Sequence, residues 1–173
     1  MEVLLEILKY TIPSLIVFGT SYLIIKSFID NDQKKRVLEI RLANQKTITP
    51  IKLQAYERLT LFLERISPES LVVRVMDPKM TAGFLQQALL KTIRAEFEHN
   101  LSQQIYISNN AWLVIKSAKE NVIKLINNAG DKVDKKAPAF ELSKIIIEST
   151  INNNANPTQA AIDFLKNEVN NYF

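Results

Sequence analysis

The chain has 173 residues, a formal net charge of +4, 47% hydrophobic and 23% charged residues, three glycines, six prolines and no cysteine. That length fits one domain, or one domain with an anchor. The lack of cysteine excludes disulfides, thiolate metal sites and cysteine nucleophiles, and so few glycines leave little material for β-turns, which favours an all-α chain.

From Tyr10 to Ile25 (YTIPSLIVFGTSYLII) there is no charged residue, and extension to Ile29 adds only Lys26. As a helix this is a span of roughly 20 residues and ~30 Å, about one hydrocarbon core. Leu15, Ile16, Val17, Phe18, Leu23, Ile24 and Ile25 form its body. Lys9 and Lys26 lie near the two ends, where long side chains reach the headgroups. Tyr10 and Tyr22 fall near interfacial depth, and Pro13 sits in the first turn, where a membrane helix tolerates proline. A cleaved signal peptide is disfavoured, because the start is acidic (Glu2, Glu6) and the run leads into DNDQKKR with no A-x-A pattern. An interfacial helix needs a charged face, which this segment lacks. A buried soluble helix is the remaining alternative. Residues 1–29 are therefore expected to be a single membrane-spanning anchor.

Lys34, Lys35, Arg36, Arg41 and Lys46 follow this segment, whereas only Lys9 precedes it. Flanking Lys and Arg favour the cytoplasmic side, so the expected topology is single-pass, N-out, with the C-terminal part cytoplasmic. Lys34, Lys35, Arg36 and Arg41 are the residues expected to contact anionic lipid, at about 1 kcal/mol for each one near the surface. This placement accounts for the basic excess better than nucleic-acid binding does. Residues 30–48 read as a basic helical stalk in which Val37, Ile40 and Ala43 alternate with charges.

Residues 49–173 read as a helical domain. Thr49-Pro50 starts a helix with Thr as N-cap and Pro at the first helical position, carrying Tyr56, Leu59, Phe62, Leu63 and Ile66 at helical spacing. Ser67-Pro68 restarts the chain in the same way, and Leu71–Met76 (LVVRVM) is taken as a short helix because no partner strand is in sight. After Asp77-Pro78 a long helix is expected over about Met80–Gln104, with Leu90, Ile93, Phe97 and Leu101 as its stripe. Ser108 caps the next, whose face is Trp112, Ile115, Ala118, Val122, Leu125 and Ala129, and Gly130 ends it as a C′ glycine. DKVDKKAP is a polar loop. Pro138 opens a helix to about Ile151 with Leu142, Ile145, Ile146 and Ile147, and NNNAN breaks it. Asn156-Pro157-Thr158-Gln159 is a capping box for a terminal helix with Ile162, Leu165 and Val169. The expected fold is all-α, an N-terminal transmembrane helix continuing into a stalk, then a compact bundle of four to five amphipathic helices.

Catalytic chemistry has little to stand on. His99 is the only histidine; Glu96 and His99 in EFEHN have the i, i+3 spacing of di-iron bundle ligands, but such sites need two such pairs. One histidine also argues against a Ser-His-Asp triad. Gly19, Gly83 and Gly130 are isolated, so no phosphate loop is present, and Glu96 and Glu98 point to different faces. Trp112 lies on an apolar stripe and reads as core. No cofactor and no metal site are expected.

The segments ITPIKLQAYERLTLFLERISPESL and IRAEFEHNLSQQIYISNNAWLVIKSAKENVIKLI resemble an uncharacterised family of Bacteroidota proteins. Its members are short chains with one N-terminal membrane helix and a helical domain of unknown function. The resemblance covers roughly residues 48–126 and implies an inner-membrane protein of a Gram-negative bacterium; it implies no activity and no site residues. The expected function is a membrane-tethered protein-interaction or scaffold module, an accessory subunit of an inner-membrane complex, with membrane lipid and a protein as partners. The alternatives are a stator-like stalk subunit, a metal-binding helical-bundle enzyme using Glu96 and His99, and a lipid-binding role for the stalk.

Overall fold

The structure, a computed structural model, describes residues 2–152 and 156–172. Among these residues the elements are six α-helices, α1 (Glu2–Ile66), α2 (Pro68–Val75), α3 (Ala82–Asn100), α4 (Asn109–Gly130), α5 (Ala139–Asn152) and α6 (Gln159–Tyr172), with a 3-10 helix over Leu101–Ile105. No strand occurs among them; one isolated bridge joins Thr81 to Pro138. The all-α expectation holds. The chain divides into two units, Met1–Ile48 and Thr49–Phe173.

In the first unit, α1 carries no described side chain that is buried. Leu15, Ile16, Val17, Phe18, Tyr22, Leu23, Ile24, Ile25 and Phe28 are all exposed, as are Lys9 and Lys26; the side chains of Tyr10 and Pro13 lie outside those described. Among the described residues, no helix is long and apolar enough to cross a membrane.

The second unit is a bundle of α2–α6 with the C-terminal turns of α1, one more segment than the four to five expected. Tyr56, Leu59, Phe62, Leu63 and Ile66 are buried on one face of α1, as their three- and four-residue spacing predicts. α3 packs against α2, α4 and α5, and α4 also packs against α5 and α6. The shared core holds Leu71 and Val72 of α2, Leu85, Leu89 and Ile93 of α3, Ile115, Val122 and Ile126 of α4, Leu142 and Ile146 of α5, and Ile162 and Leu165 of α6.

Local signals explain most helix ends. Ser108 Oγ accepts from Ala111 N (3.0 Å) and Thr81 Oγ1 from Phe84 N (3.3 Å), each satisfying one of the free amides of a first turn. Leu71–Val75 of LVVRVM is helical within α2, with Pro68 in its first turn and Met76 as its extended C-cap. Ser67 does not cap it; its Oγ donates to the Glu64 carbonyl at 2.8 Å. The loop after α4 is held by Ala82 N to Ala137 O (2.8 Å), Gly83 N to Lys135 O (3.0 Å) and Ala139 N to Met80 O (3.0 Å).

Five local expectations are corrected. No helix starts at Thr49-Pro50, because α1 runs through it. Proline forfeits one helix bond and crowds one carbonyl, whereas a break would strip partners from several amides and carbonyls at once. The long third helix ends at Asn100 and tightens into the 3-10 turn, so Leu101 leaves the stripe and is exposed. Leu85, Leu89 and Ile93 form the buried line of α3, with Leu90 and Phe97 at its margin. Gly130 is the last helical residue, followed by Asp131 with a helical φ of −72°, so it is not a left-handed C′ glycine. A Cβ there would lie 2.5 Å from Gln86 Nε2; close approach is its reason. The capping box at Asn156 does not form: Asn156 Oδ1 accepts from Thr158 N (3.1 Å) and Thr158 Oγ1 (2.8 Å), while Gln159 Nε2 donates forward to Asp163 (2.9 Å). Residues 153–155 of NNNAN lie outside those described.

Candidate functional site

The most chemically concentrated place in the second unit surrounds Glu96. Its position on α3 puts its carboxylate on the inner margin of the bundle, with the side chain 17% exposed. Burial of that degree demands compensation, and two arginines supply it. Arg65 Nε of α1 lies 3.1 Å from Glu96 Oε1 and Arg74 Nη2 of α2 lies 3.6 Å from the same oxygen. Arg74 Nη2 also donates to the Arg65 carbonyl at 3.2 Å, which neutralises part of the exposed C-terminus of α1. Asn100 is buried and donates from Nδ2 to the Glu96 carbonyl at 2.9 Å. The cluster thus ties three helices to one carboxylate.

A cavity of about 150 Å³ sits beside it, lined by Arg58, Leu61, Phe62, Arg65, Glu96, His99 and Asn100. His99 is exposed at its rim. Glu96 and His99 do share a cavity, as their i, i+3 spacing requires. Among the described residues, however, no group of three His, Cys, Asp or Glu side chains is placed to hold a metal ion. The carboxylate that a metal would need already serves two guanidinium groups, so the arrangement works as a charged clasp.

Behind the clasp lies an aromatic row. Phe62 meets Phe97 with ring centroids 5.9 Å apart, Phe97 stacks on Trp112 at 5.3 Å, and Lys119 Nζ stands 4.2 Å from the Phe97 ring centre. Trp112 packs against the core, as its place on the apolar stripe implies. An ammonium over an aromatic face is stabilised by the ring quadrupole. A second, wider groove of about 440 Å³ runs between α1 and α6, lined by Leu53, Tyr56, Glu57, Thr60, Leu165, Lys166, Val169 and Asn170.

The stalk basic residues are exposed. Arg36 Nε is committed to Asp32 Oδ2 at 2.9 Å within its own helix. Lys34, Lys35 and Arg41 form no ion pair among the described residues. Sequence reasoning missed the Arg65–Glu96–Arg74 cluster, because its members stand far apart in the chain and none has a distinctive spacing.

Fold and site together define an all-α helical protein whose charged centre is a clasp between helices. The chain belongs to a family of unknown function, DUF7935, whose profile matches residues 2–172. Comparison with curated proteins finds no match, and comparison with solved structures finds none either.

Proposed function

We propose that this protein is a membrane-tethered interaction module, in which the N-terminal part of α1 anchors a helical domain that binds a protein partner. The observation that carries the reading is the exposure of apolar side chains between Leu15 and Ile29, from 49% at Ile29 to 75% at Phe28. Residues 15–18 and 22–25 step round the helix at about 100° each, so every face is apolar. A helix that is apolar all round is normally buried or lipid-covered. From Ile12 to Ile29 only Lys26 is charged, a length of about 27 Å as a helix, close to a hydrocarbon core.

The basic residues that follow, Lys34, Lys35, Arg36, Arg41 and Lys46, support a cytoplasmic location for residues 49–173, with the N-terminus outside. A bacterial inner membrane, of a Bacteroidota cell, is the setting this reading takes. The side chains that an adaptor would offer a partner are the domain's exposed apolar ones, among them Leu61, Val73, Phe84, Ile105, Leu113 and Phe140.

Two measurements test it. Membranes from cells expressing the full chain are washed at alkaline pH. The chain is expected to stay in the pellet and to leave it only with detergent; release by the wash overturns the anchor. Cross-linking in intact membranes is then expected to recover a different protein in fixed ratio, and recovery of this chain alone overturns the adaptor role.

A further inference from the structure

We propose that α1 pairs, parallel and in register, with α1 of a second copy of this chain, through a stripe running from Ile29 to Ile48. Ile29, Gln33, Val37, Ile40, Asn44 and Ile48 are separated by four, four, three, four and four residues. On an α-helix these positions fall within one arc of about 100°. Steps of four, four and three make an eleven-residue repeat, which follows a nearly straight helix with little drift. No Lys, Arg or Glu lies inside the arc, and Asp30 stands at its margin; Lys35, Glu39 and Lys46 occupy the opposite half. Leu38 and Leu42, also exposed, fall outside it among the charges.

The four apolar members of the stripe are uncovered: Ile29, Val37, Ile40 and Ile48 are each about half exposed. Hydrocarbon is not the cover of Val37, Ile40 and Ile48, since Asp30, Asp32, Lys34, Lys35, Arg36, Glu39 and Arg41 lie in the same stretch and charges at that density are excluded from a bilayer core. The two amides decide what the cover is. Asn44 and Gln33 each carry both donors and an acceptor. Against an unrelated apolar helix these groups would be left without partners. Against the same residue of an identical helix at the same height, each amide donates to its counterpart and accepts from it. An amide buried in an otherwise apolar seam is a device by which paired helices select register and partner, and β-branched residues around it suit two strands. An antiparallel copy would set Gln33 against Asn44 equally well, so the parallel sense rests on the proposed membrane anchor, which gives both copies of α1 one orientation.

The chain has no cysteine, so single cysteines report without background. Full-length Val37→Cys, Ile40→Cys, Asn44→Cys and Ile48→Cys are compared after mild oxidation with Lys35→Cys and Lys46→Cys. Helicity, followed by circular dichroism, confirms that each variant folds. The four stripe variants are expected to give disulfide-linked dimer, because a disulfide needs Cα atoms within about 7 Å, and the two controls little. Equal yields at both sets, or no dimer at the stripe, overturn the proposal. So does preferential cross-linking of mixed Ile29→Cys and Ile48→Cys chains over either alone, the signature of antiparallel pairing. Asn44→Leu is expected to convert a uniform dimer into mixed larger assemblies by light scattering; an unchanged dimer overturns the register role of Asn44.

Discussion

Apolar residues of the same types meet opposite fates in the two units of this chain. In Thr49–Phe173, Leu59, Phe62, Leu63 and Ile66 of α1 are at most 1% exposed. In Met1–Ile48, Phe18, Leu23, Ile24 and Phe28 of the same helix are more than half exposed. Helix periodicity is satisfied in both places, so it does not account for the difference. The C-terminal turns place their apolar residues on one face and find α2–α6 to cover it; the N-terminal turns are apolar all round, and their described apolar side chains are exposed. Secondary structure is thus a local property here, while burial depends on whether a cover exists. On the proposed reading, lipid covers the apolar turns of the first unit.

The sharpest way to break that contrast is a matched pair of truncations. Phe62→Ala removes a ring that touches Phe97 in the core, and a buried Phe→Ala change costs about 3–5 kcal/mol. Phe18→Ala removes an equal ring from an exposed position. Urea unfolding of the domain, followed by Trp112 fluorescence, is expected to shift strongly for the first and not at all for the second. A comparable shift for Phe18→Ala would mean that the two units do not behave separately.

The clasp around Glu96 predicts a smaller effect. Glu96→Ala leaves Arg65 and Arg74 without their common acceptor, but Arg65 remains 47% exposed and water can take over. The expected loss is about 1 kcal/mol, above the usual value for surface pairs because the carboxylate is mostly buried. A double-mutant cycle of Arg65→Ala with Glu96→Ala should return a coupling of about 0.5–1 kcal/mol. Zero coupling would show that the 3.1 Å contact contributes geometry without stability.

How much of this was readable in advance depends on range. Ser108, Thr81 and Pro68 act on their own first turns, so a helix start is visible in a few residues. Ser108 and Asn156 each accept from a backbone amide of the turn they precede, whereas Ser67 Oγ donates to the Glu64 carbonyl. The buried line of α1 was legible because one stripe faces one bundle. That of α3 was shifted, since α3 is contacted by α2, α4 and α5 and three neighbours widen a stripe beyond any single spacing. Thr49-Pro50 has the local form of a helix start, but α1 continues through it because a break would cost several bonds and the proline costs one. The Arg65–Glu96–Arg74 cluster had no local signature at all. Capping makes its own prediction on this scale: Ser108→Ala should cost about 1 kcal/mol, and Thr81→Ala, whose bond is longer at 3.3 Å, less than that. Equal losses would mean that cap geometry is not the deciding term.

The smallest predicted effects belong to two glycines that divide along the same line. Gly19 has nothing within 4 Å of an added Cβ, so Gly19→Ala should simply favour helix, by up to about 1 kcal/mol, with no change in the unfolding of the domain. Gly130→Ala gains the same propensity but drives its Cβ into Gln86, whose Nε2 hydrogen-bonds Asn127 at 3.2 Å. Because the clashing atoms are the end of a flexible side chain, Gln86 can swing away at the cost of that one bond, and gain and loss nearly cancel. The decisive comparison is therefore the double variant. Gly130→Ala with Gln86→Ala loses the three closest contacts and should be more stable than Gly130→Ala alone, whereas Gly19→Ala should be indifferent to Gln86. If Gln86→Ala fails to rescue Gly130→Ala, the obstacle is the backbone of α3 itself, and the close approach of α3 to α4 is tighter than side-chain packing explains.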